Sequence, residues 1–142
     1  MFLDRARKAV PVPGAVSALL TSDRMVRKLN RDFRGLDHAT DVLSFPAAVL
    51  PENVKGTRAR PLPGGDLAIS VDAAARQARR FGHPLRVELK ILALHGLLHL
   101  AGQDHETDRG EMNAAEEHLR RRFRLPSALI GRTTQATSAG RV

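Results

Sequence analysis

Cysteine, tyrosine and tryptophan are absent from the 142 residues. Without thiols there is no disulfide, no thiolate nucleophile and no cysteine-ligated zinc, so any metal site has to be built from His, Asp or Glu. Five phenylalanines are the whole aromatic complement, which supplies a base-stacking platform poorly. Nothing approaches the ~18 uninterrupted apolar residues of a membrane helix. The opening MFLDRARKAVPVPG mixes acids and bases where a secretory signal needs an apolar core. A cytoplasmic protein with no membrane partner is expected.

What is present is an ordinary apolar share of 42% and enough chain for one domain with a real core. The formal charge is +8, but Arg120–Val142 holds six arginines and no acid. That segment carries most of the excess and suggests a polyanionic partner; if the partner is nucleic acid, backbone phosphates supply much of the attraction.

Along the chain, FLDRARKAV reads as a short helix ended by Pro11, Pro13 and Gly14, and AVSALLT as a strand. Thr21 or Ser22 can cap a helix DRMVRKLNRDF whose stripe Met25, Val26, Leu29 and Phe33 belongs to the core. After a turn at RGLDH, TDVLSF is a strand stopped by Pro46. Residues 47–65 form a long loop with three prolines, three glycines and the bases Lys55, Arg58 and Arg60. DLAIS is a short strand, and Ser70 or Asp72 can cap a helix running to Phe81 with Gly82 at its end. Pro84 then starts LRVELKILALHGLLHL, apolar on nearly every side and therefore central. Gly102 can end it in a left-handed conformation. The last helix, Asp108–Phe123, turns Met112, Ala115, Leu119 and Phe123 to one face and charge elsewhere. LPSALIG reads as one packed turn, and GRTTQATSAGRV as a disordered tail.

Three of the six histidines fall within LALHGLLHLAGQDHE. On a helix, His95 and His99 share one face about 6 Å apart along the axis, and can aim both rings at one ion. A break of the helix at Gly102 lets the chain fold back so that His105 supplies a third nitrogen, which leaves open positions for water and substrate. Filling a core with such rings would be costly because each brings polar nitrogens that need partners. Neutral imidazoles without thiolates select zinc, with nickel or iron as substitutes. His38, His83 and His118 are expected at the surface.

The spacing also matches a zinc-protease pattern, but the position of its glutamate base is Gly96. Phosphodiester hydrolysis demands less of the protein, since a metal ion acidifies its own water, and needs in addition a cation to hold the phosphate. Asp104 can orient an imidazole or touch the bound water, or be a solvated turn acid. Glu88 is an exposed or salt-bridged residue or a weaker site candidate. Gly96 is read as space for a phosphate or ribose beside the ion.

HGLLHLAGQDH (95–105), FRGLDHATDVLSFP (33–46) and GDLAIS (65–70) together closely resemble the bacterial YbeY-type endoribonuclease, or rRNA maturation factor, family, from about Val16 to Leu125. The resemblance implies an α/β metalloprotein with a small mixed sheet around a buried central helix. It implies one metallo-endoribonuclease domain over 1–125 and a terminal turn and basic tail over 126–142. The implied activity is metal-dependent cleavage of single-stranded RNA in 16S rRNA 3′-end maturation and ribosome quality control. RNA and the small ribosomal subunit or its proteins are the implied partners, and DNA is not. It makes His95, His99 and His105 the zinc ligands, Arg34 the phosphate-gripping arginine and TDVLSFP the strand lining the groove. Family members carry a strand and the start of a helix ahead of this beginning, and usually a tyrosine where Gln103 stands. A ribosome-associated factor with a structural metal, and more distantly a zinc peptidase, remain as other readings.

Overall fold

The computed structural model describes residues 2–46, 64–102 and 110–126. They form α1 (Phe2–Lys8), β1 (Val16–Thr21), α2 (Asp23–Arg34), β2 (Val42–Phe45), β3 (Gly65–Ser70), α3 (Val71–Phe81), α4 (Leu85–Leu100) and α5 (Glu111–Arg122). Each expected helix and strand is present to within a few residues. The loop expected over 47–65 and the expected tail lie largely outside the described residues, as do the bases Lys55, Arg58 and Arg60.

The sheet has the order β1-β3-β2. Strand β3 pairs parallel with β1 and antiparallel with β2, placing Leu67 opposite Ala18 and Ser44. Alternation along the strands separates two apolar layers. Leu43, Phe45 and Ala68 meet Val26 and Leu29 of α2, while Val42, Leu67 and Ile69 join the α4 core. The central strand β3 is buried throughout. Helix α4 is buried at every residue from Ile91 to Leu98, because α1, α3, α5 and two strands pack around it. No described helix is long and apolar enough to cross a membrane.

The helix starts show why two serines stand where they do. Ser22 Oγ accepts from Met25 N and Ser70 Oγ from Ala73 N, both at 3.1 Å. Ser70 also donates to Asp23 Oδ1 at 2.5 Å, and Asp72 accepts from the Asp23 amide at 2.9 Å, so the beginnings of α2 and α3 are tied together. Arg76 closes the group on Asp23 Oδ2 at 2.9 Å. Since an N-cap serine contributes ~1 kcal/mol and Ser70 is buried and doubly bonded, Ser70→Ala is expected to cost ~1–3 kcal/mol in urea unfolding. A midpoint unchanged from wild type would show the clamp to be idle.

Gly82, at φ 72, ends α3, and Gly102, at φ 92, turns the chain beyond α4; both conformations favour glycine. Gly96 differs from its reading as substrate space. A Cβ there would lie 2.8 Å from Leu67 Cδ2 and 3.3 Å from Ser44 Oγ, and Ser44 Oγ already donates to the Gly96 carbonyl at 2.9 Å. Gly96 lies against Leu67 of β3 and Ser44 of β2, so its missing side chain serves helix packing.

Candidate metal centre

His95 and His99 lie one turn apart on α4, the first buried and the second half-buried. Their Nε2 atoms stand 3.2 Å apart, with ring centroids at 4.9 Å and planes inclined by 57°. Two nitrogens each ~2.0–2.1 Å from one tetrahedral ion would be ~3.3–3.4 Å apart. The observed separation therefore fits a shared ion with little adjustment.

The other face of His95 is fixed by α5. Its Nδ1 lies 2.6 Å from Glu116 Oε1, and Glu116 Oε2 accepts from Arg120 Nη2 at 2.5 Å. A carboxylate only accepts, so the proton between them sits on Nδ1, and in a neutral ring that leaves the lone pair on Nε2, the atom that faces His99. Burial pushes the Glu116 carboxyl up, but His95 and Arg120 together outweigh it and hold it at about 2 against an ordinary 4.5. It is therefore an ionised acceptor throughout the neutral range.

Glu116 and Arg120 were hidden from sequence reasoning by the charged face expected of α5. Met112 and Leu119 enter the core and Phe123 packs against it as expected, yet Glu116 and Arg120 are buried too, at 6% and 1% exposure. The available signal was their own spacing: a Glu and an Arg four apart, each beside a core position, can pair and be buried together. His83 also departs from its expected surface place. It is mostly buried, its Nε2 2.7 Å from the fully buried Glu88, so Glu88 is an internal pair partner and not an exposed acid. His118 is exposed and His38 half-buried.

Arg34 ends α2 before Gly35, which closes the helix at φ 72. It is half-buried, and its Nε has no hydrogen-bond partner among the described residues. The same turn packs Phe33 edge-on against Phe45 of β2 at 5.9 Å, and the neighbouring Ser44 touches Gly96 beside His95. Strand β2 thus links the end of α2 to the histidine turn of α4. His105 and Asp104 lie outside the described residues, and no group of three metal-ligating residues forms among those described.

A mixed three-stranded sheet, a buried central helix and a histidine pair on that helix define the class: a small α/β protein with a candidate metal centre. A family model described as "Endoribonuclease YbeY" matches residues 2–124, and the chain belongs to that family. The expected fold class and the resemblance drawn from the three motifs both hold, and the activity class is that of a nuclease. The Endoribonuclease YbeY of Koribacter versatilis is 54% identical over 135 residues, covering 95% of this chain and 82% of the relative. That of Helicobacter pylori strain 26695 is 38% identical over 133 residues, covering 94% and 89%. A solution structure from Thermotoga maritima aligns with a TM-score of 0.50 and 28% identity, covering 87% of this chain and 79% of that one.

Proposed function

We propose that the chain is a metal-dependent endoribonuclease that cleaves single-stranded RNA in the cytoplasm, acting in 16S rRNA 3′-end maturation and ribosome quality control beside the small subunit. The supporting observation is the pair of Nε2 atoms 3.2 Å apart, one on a ring whose Nδ1 is engaged by a buried carboxylate. His95, His99 and His105 are the proposed ligands of one zinc ion, within a domain taken as 1–125 with a basic tail over 126–142. When bound, zinc supplies a Lewis acid and lowers the pKa of water.

The chain's own residues do the rest. Neighbouring His99 is only half-buried, so the centre is reached from solvent on that side and a phosphodiester has an approach. Arg34, at the end of α2, neutralises the scissile phosphate with its guanidinium charge. Asp104 is proposed to orient His105 or to accept a proton at the attacking oxygen. Gly96 offers no carboxylate, so the built-in base of a zinc peptidase is missing at that position.

Cleavage of a labelled single-stranded RNA by the zinc-loaded chain tests the reading. Arg34→Ala is expected to keep its metal and lose ~100-fold or more in cleavage, as for removal of a preorganised charge donor at a reacting centre. Wild-type rates from metal-replete Arg34→Ala would remove Arg34 from the site. Ribosome binding without any cleavage by the metal-loaded wild type would favour an assembly factor with a structural metal.

A further inference from the structure

Glu116 and Arg120 form a buried arm that reaches the histidine pair from the side opposite any ion. Arg120 Nη1 donates to the Pro126 carbonyl at 3.1 Å, Arg120 Nη2 to Glu116 Oε2 at 2.5 Å, and Glu116 Oε1 accepts a hydrogen bond from His95 Nδ1 at 2.6 Å. Each link holds a group that would otherwise turn. A lone buried glutamate can rotate about its side-chain bonds, whereas this one is gripped at both oxygens. A lone buried imidazole can present either nitrogen, whereas this one can present only Nε2.

Folding stability is a poor reason for such an arm. A buried ion pair is often matched or bettered by apolar side chains of the same volume, and the buried Arg120 Nε has no hydrogen-bond partner among the described residues, which adds to the cost. The charges do suit a metal site. The guanidinium balances the carboxylate, so the arm brings the ring a fixed acceptor without leaving an uncompensated charge in the interior.

Resting on the metal-centre reading above, we propose that Glu116 and Arg120 are positioning residues. Glu116 sets the tautomer and tilt of His95 for metal binding, and Arg120, anchored on the Pro126 carbonyl, holds Glu116 in place. Neither touches substrate. Carboxylates behind metal-bound histidines raise metal affinity by ~10–100-fold, and that is the size of effect assigned to Glu116.

The test uses the full chain, stripped with chelator and reloaded with Zn²⁺ or Co²⁺. Zinc affinity is read by competition with a chromophoric chelator and geometry by the visible bands of Co²⁺. Glu116→Ala is expected to weaken zinc ~10–100-fold and change the Co²⁺ bands. Glu116→Gln, which keeps an acceptor oxygen for Nδ1–H, should recover part of the loss. Arg120→Met, which frees Glu116 while filling much of the same space, should weaken zinc, with far-ultraviolet circular dichroism checking that the chain stays folded despite the stranded carboxylate. The exposed His118→Ala on the same helix should change nothing.

Imidazole ¹⁵N spectra of the zinc-loaded wild type need no variant, and should show His95 protonated at Nδ1 and metal-bound at Nε2. The opposite tautomer would overturn the proposal, as would a folded Glu116→Ala with zinc affinity within twofold of wild type. A wild type that binds no metal would overturn the metal-centre reading and this proposal with it. A metal-binding wild type with an indifferent Glu116 would overturn this proposal alone.

Discussion

His99→Ala is expected to empty the centre of metal and to lower RNA cleavage by more than ~100-fold, beyond the range of a residue that acts only behind a ligand. The substitution should spare the fold. His99 is only half-buried near the end of α4, so its removal opens no sealed cavity, and alanine is the best helix former. Metal content, RNA cleavage and far-ultraviolet circular dichroism on one preparation check all three parts. A His99→Ala protein that keeps a full equivalent of zinc would remove His99 from the ligand set. His95→Ala is less clean, because it also strands Glu116 beside an empty ring position, so loss of metal would be mixed with loss of stability.

Gly96 carries the second large effect, on stability. A glycine inside a helix costs ~0.5–1 kcal/mol relative to alanine, so an unconstrained Gly96→Ala would stabilise the protein. Here the new Cβ would meet Leu67 at 2.8 Å and Ser44 at 3.3 Å. Leu67 is 1% exposed and belongs to the central strand, so it has little room to yield, and overpacking of ~1–3 kcal/mol outweighs the helix gain. Gly96→Glu adds a carboxylate at a buried position, and is expected to cost ~4 kcal/mol or more, a large part of the ~5–15 kcal/mol that holds a domain together. Thermal or urea unfolding measures both. A Gly96→Glu protein with wild-type stability and reduced cleavage would restore the idea that Gly96 makes space for substrate.

The sequence reached the fold where local chemistry and burial agree. Helix α4 could be placed because its apolar residues leave no side for water, and α2 because a capping serine precedes a 3.6-residue stripe. It went wrong where one side chain's surroundings come from distant segments. Gly96 looked like a gap beside the ion because its neighbours in the chain are histidine and leucine, whereas its neighbours in space are Leu67 and Ser44. His83 looked exposed because it follows a turn, yet its partner is the fully buried Glu88 across the start of α4.

By itself, the sequence determined the materials of the site and part of their geometry. The absence of cysteine leaves only His, Asp and Glu as ligands, and the four-residue spacing of His95 and His99 on an apolar helix fixes a shared face, because helix geometry is local. Tertiary structure alone decided which nitrogen of His95 looks at that shared point. The choice rests on Glu116, 21 residues away along the chain, and on Arg120 behind it. Hydrogen bonding in a water-excluded interior selects one tautomer only when packing has already delivered the acceptor, and no spacing along one helix could show which residue of another would arrive there.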